Sequence, residues 1–88
     1  MKQSEIIPGH VYTNTSRSRF RMVITQGFPG EGIEHLLFVN DGYIKDNEFT
    51  YSGLPYHITK KAFARWAKED ITGGLILISC IKKEGIDA

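Results

Sequence analysis

The chain has one cysteine, Cys80, so no intramolecular disulfide can form and the small disulfide-stapled scaffolds are excluded. It lacks a long hydrophobic run. The longest, Leu75-Ile76-Leu77-Ile78, is far short of the roughly 20 apolar residues of a helical membrane span. It lacks an excess of one charge, because 11 Lys and Arg against 10 Asp and Glu give a formal net charge of +1. That excludes a surface that is a polyanion trap as a whole and leaves room only for a local basic face. A leader with a charged n-region and an apolar h-region is also missing, and the chain reads as cytoplasmic. Repeats and low-complexity tracts are missing too.

What is present fits one domain over residues 1–88, with mobile tails at 1–5 and 82–88. Hydrophobic residues make up 41%, enough for a modest core. The clearest helical period lies in Ile58 to Asp70 and holds the only tryptophan. Thr59 is placed to cap the unpaired N–H groups of the first turn, and Ile58 and Phe63 occupy the positions of a hydrophobic staple. Phe63, Trp66 and Ala67 stand at i, i+3 and i+4 and form an apolar stripe. Thr72-Gly73-Gly74 is read as the helix terminator. So short a helix needs a surface to dock on, and strands must supply it.

Strand patterns fill the rest. Val11-Tyr12 follows a Pro8-Gly9 turn, and Arg19 to Thr25 alternates with Phe20, Met22 and Ile24 on one face. Gly27 to Gly32, with three glycines and a proline, predicts a loop, and Ile33 to Val39 a central strand. Asn40-Asp41-Gly42 is the best hairpin signal. Tyr43-Ile44 opens a further strand, and 45–56 reads as a strand end plus a loop. Leu75 to Ile81 reads as a last strand in which a buried Cys80 would be inert. These readings predict an α+β domain: a small, strongly bent antiparallel sheet or partly open barrel of about five strands, with one helix before the last strand.

Pro8-Gly9-His10-Val11-Tyr12, then Phe20-Arg21-Met22-Val23-Ile24, then Phe63-Ala64-Arg65-Trp66-Ala67 resembles a group of short, uncharacterised bacteriophage and prophage proteins. They share a Pro-Gly-x-x-Tyr opening, a β-rich middle and a Phe-Ala-x-Trp-Ala helix. The resemblance implies a phage or prophage origin and a small barrel like that of Src-homology domains. It implies no activity, and the chain departs from the pattern between Asp41 and Tyr56.

Chemistry-bearing constellations are sparse. His10, His35, His57 and Cys80 have no metal-ligand spacing, and neither a Gly-x-Ser-x-Gly nor a Walker loop is present. No catalytic residue, metal or cofactor is expected. Two binding surfaces remain. Tyr43, Phe49, Tyr51 and Tyr56 crowd a turn-rich region and would form a protein-binding surface if exposed. Arg17, Arg19 and Arg21, at i, i+2 and i+4, with Lys60, Lys61 and Arg65 on the helix, would form a nucleic-acid-binding patch if strand and helix meet. An open sheet edge could also pair with its copy as a homodimer. The favoured reading is a non-enzymatic module acting on an unknown protein partner, with weak nucleic-acid binding as the alternative and no membrane.

Overall fold

The alternating segment that begins at Phe20 is the middle strand of a five-stranded antiparallel sheet, and both faces of that sheet are covered. The computed structural model describes every residue except 31, 32, 41 and 81–88, and the backbone alone at 28–30, 33, 77, 79 and 80. Its strands are β1 (Val11–Thr13), β2 (Phe20–Gly30), β3 (Ile33–Val39), β4 (Gly42–Lys45), β5 (Glu48–Tyr51), β6 (Tyr56–Thr59), β7 (Glu69–Asp70) and β8 (Leu77–Cys80). The one α-helix among the described residues, α1, spans Lys60–Trp66. The large sheet runs β6-β3-β2-β1-β7 and, among the described residues, does not close, so β6 and β7 are its edges there. The second sheet runs β4-β5-β8, antiparallel within the hairpin and parallel between β5 and β8. The fold is α+β, as the sequence predicts.

Alternation sorts the core into two clusters. Tyr12, Val23, Leu36 and Phe38 lie on one face of the large sheet and pack against Phe63 and Ala64 from the helix, Ala67 just after it, and Ile6. Val11, Met22 and Val39 lie on the other face and pack against Phe49 from the second sheet, with Phe20, Ile24 and Ile78 around them. The result is three layers, helix on sheet on sheet. The first residues are tied to the helix layer. Gln3–Glu5 forms a 3-10 turn, and the fully buried Tyr12 hydroxyl accepts from Ile7 N–H at 2.7 Å and donates to Glu5 C=O at 2.9 Å. Burial raises the Tyr12 pKa, although the Ile7 bond opposes the rise.

Several local expectations need correction. The helix is capped by Thr59, whose hydroxyl accepts from Ala62 N–H at 3.1 Å, but it stops at Trp66. Lys68 N–H turns to Thr13 C=O at 2.9 Å, because β7 pairs with β1. Thr72–Gly74 is a separate 3-10 turn beyond β7, not the helix terminator. The expected loop from Gly27 begins instead as strand, since β2 continues to Gly30. Gly27, at φ 97°, is the extra residue of a bulge between the Gln26↔Leu36 and Phe28↔His35 pairs. β3 and β4, on either side of the predicted Asn40-Asp41-Gly42 hairpin, belong to different sheets, and Asp41 itself lies outside the described residues. The tight hairpin is at Asp46-Asn47, whose φ of 54° and 62° suit a two-residue turn between Lys45 and Glu48. The tail at 82–88 and the Cys80 side chain lie outside the described residues.

Candidate functional site

Arg21 sits where a strand read from its polar alternation would show solvent. Its face of β2 is the one that α1 covers. The guanidinium carbon lies 4.3 Å from the Trp66 ring centroid and 4.7 Å from that of Phe38. Each such contact contributes on the order of 0.5–2 kcal/mol, more as water is excluded. Phe38 in turn stacks on Tyr56, its cross-strand neighbour, at 5.8 Å. Arg21 Nε donates to Asn40 Oδ1 at 2.9 Å. No carboxylate pairs with Arg21 among the described residues. Burial, followed by the nearby positive charge of Arg19, lowers its pKa.

Asn40 also lines a shallow cleft, bounded with it by Ser18, Arg19, Phe20, Gly42 and Tyr43. The cleft lies where β2 begins and β3 ends. Its shape depends on Gly42: a Cβ there would overlap the Phe49 ring, so only glycine lets β4 pass this close to the buried phenylalanine. Ser18 is held by Asn14, whose Oδ1 accepts from Ser18 N–H and whose Nδ2 donates to Ser18 Oγ, both at 3.0 Å. Arg19 is exposed, and among the described residues its side chain has no partner. Tyr43 is 52% exposed.

A second constellation joins residues about 60 positions apart. His10 Nδ1 and Asp70 Oδ2 are 2.7 Å apart, and Asp70 Oδ1 accepts from the Thr72 hydroxyl at 2.6 Å and from Thr72 N–H at 3.0 Å. Thr72 Oγ1 then accepts from Val11 N–H at 2.8 Å. Burial raises the Asp70 pKa, but the Thr72 hydroxyl, His10 and the Thr72 backbone N–H outweigh it and hold the carboxyl below its ordinary value. The carboxylate stands between hydroxyl and imidazole, so the imidazole cannot take the Thr72 proton as a general base must. The arrangement fastens β7 to β1 and is not a nucleophilic site.

The residues singled out in the sequence separate. Of the aromatic set, Phe49 is fully buried and Tyr51 half-buried, stacked at 5.9 Å. Phe49 is therefore core and cannot face a partner. Tyr43 and Tyr56 are both half exposed but belong to different sheets. Of the basic set, Arg17 is in a turn at φ 57°, with its Nε 3.5 Å from Glu69 Oε1 at the surface. Lys60 is half-buried, and Lys61 and Arg65 are exposed. Strand and helix do meet, but through Arg21 on Trp66 rather than as an open row of six cations. Sequence reasoning missed Asn40 as the partner of Arg21. Its position after an apolar strand marked it only as a turn residue.

Among the described residues, no three His, Cys, Asp or Glu side chains are grouped to hold a metal ion, and no helix is long and apolar enough to cross a membrane. Comparison with family models, curated proteins and solved structures gave no match.

Proposed function

We propose that this domain is a non-enzymatic, cytoplasmic binding module of phage or prophage origin, acting through a protein–protein surface at the open β6 edge of its large sheet. One observation carries the reading: Leu54, 84% exposed, and Tyr56, 52% exposed, stand just before and at the start of that outermost strand. Large apolar side chains in water beside a strand with no further strand next to it among the described residues favour an added extended segment, which takes backbone hydrogen bonds from the edge and packs its own side chains on the apolar ones. The Phe38–Tyr56 stack supports the edge from within.

The test is a photo-crosslinking residue placed at 54 in the producing cell, with one at Lys45 on the second sheet as control. The expected result is a discrete product from position 54 that excess wild-type protein suppresses and a Leu54→Asp protein does not. A product between two copies of the chain would identify the partner as a homodimer mate. Equal background at both positions would refute the edge as a binding surface.

A further inference from the structure

We infer that the cleft between Arg19 and Tyr43 binds the phosphodiester backbone of single-stranded nucleic acid, with Arg19 on a phosphate and the Tyr43 ring beneath a base. Hydrogen-bond donors around the cleft lack acceptors among the described residues. Arg21 Nε can only donate, so Asn40 must present Oδ1 to it. That orientation leaves the Asn40 Nδ2 hydrogens without a partner among the described residues, on a side chain that lines the cleft. Arg19 lines the same cleft and pairs with no described carboxylate. Arg19 and Arg21 lie close enough for the charge of one to disfavour the charge of the other. An anion held in the cleft by Arg19 would relieve that repulsion and accept from the Arg19 guanidinium and the Asn40 amide.

Ligand class follows from what else lines the cleft. A bare anion would not need Tyr43, whose half-exposed ring offers a stacking face next to Arg19. Arginine for phosphate and an aromatic face for a base is how single strands are held without sequence readout. A paired base has no free face to give, which favours a single strand over a duplex. Arg21, held by two rings, is a positioning residue: it orients the Asn40 amide and adds charge without leaving its stack.

The experiment is fluorescence polarisation of labelled eight-nucleotide oligothymidylate with the full chain, against a duplex of the same length. Neutralising one to two phosphates predicts binding that weakens about three- to sevenfold between 50 and 200 mM salt. Arg19→Glu is expected to weaken binding at least tenfold, and Tyr43→Ser several-fold with the salt slope unchanged. Both side chains are exposed enough for the fold to survive. Arg65→Glu, on the exposed helix surface, is expected to change little. No binding at 50 mM salt, a duplex bound as well as the single strand, or an Arg65→Glu loss equal to that of Arg19→Glu would each overturn the assignment. Because Leu54→Asp leaves this cleft intact, the β6 edge and the cleft fail or succeed independently.

Discussion

Replacing Phe63 with alanine is the sharpest test of how the helix layer is held. The Phe63 ring is fully buried and meets three others, Tyr12 at 5.6 Å, Phe38 at 5.7 Å and Trp66 at 5.5 Å. Truncating a buried phenylalanine costs about 3–5 kcal/mol through lost burial and the cavity left behind. The edge-on contacts with Tyr12 and Phe38 set the expectation at the upper end, because such ring pairs contribute about 0.5–1.5 kcal/mol beyond their area. A domain of this size is stable by roughly 4–13 kcal/mol, so Phe63→Ala would unfold a protein in the lower part of that range. Phe63→Leu keeps the measurement possible. It removes three carbons, at about 0.8 kcal/mol each, and predicts a loss of about 2 kcal/mol. Urea unfolding followed by far-ultraviolet circular dichroism reads both values. A loss below about 1 kcal/mol for Phe63→Ala, with an unchanged denaturant slope, would show that the helix is held by something other than this ring.

Gly42→Ala is expected to destabilise by about 1–3 kcal/mol, since the new methyl group must displace the buried Phe49 ring; a thermal midpoint equal to that of wild type would refute the close packing of β4 on Phe49. Asp70→Asn tests the link between β1 and β7 through pH. The folded pKa of Asp70 lies below its unfolded value, so its contribution is present above roughly pH 4 and is lost as pH falls through the lowered folded value. The stability gap between wild type and Asp70→Asn should therefore hold near neutrality and narrow in acid; a gap constant down to pH 2.5 would sink the argument.

Signals that act over a few residues were legible in the sequence, and those set by distant partners were not. Thr59 capping Ala62, the stripe through Phe63, and the alternation from Phe20 are local facts, and each appears in the structure. The helix ends early because Lys68 pairs with Thr13, which no window around residue 68 contains. Gly27 was a turn signal by composition, yet with β3 alongside it serves as a bulge. Asp46-Asn47 made the hairpin without a glycine, because short polar side chains tolerate positive φ. Arg21 alternates as read, but alternation says which face a side chain takes, not whether that face is wet. The site was legible to the same degree: Arg19 and Tyr43 were marked by type, while Asn40 and the cleft exist only through the meeting of β2 and β3.

The pairing of β1 with β7 has a kinetic meaning. β1 lies between β2, its neighbour along the chain, and β7 with the 3-10 turn that follows it, bound through contacts such as Val11 with Thr72, 61 positions away. The meander β1-β2-β3 can form early, but neither of its apolar faces is covered until α1 has docked on one and β8 has joined β5 on the other. Such a topology places the domain among the slower two-state folders, since the cost of closing long loops comes before the contacts that reward it. It also removes any stable half. With a layer over each face of β2, the amides of β2 and β3 are expected to be among the slowest of the domain to exchange with solvent.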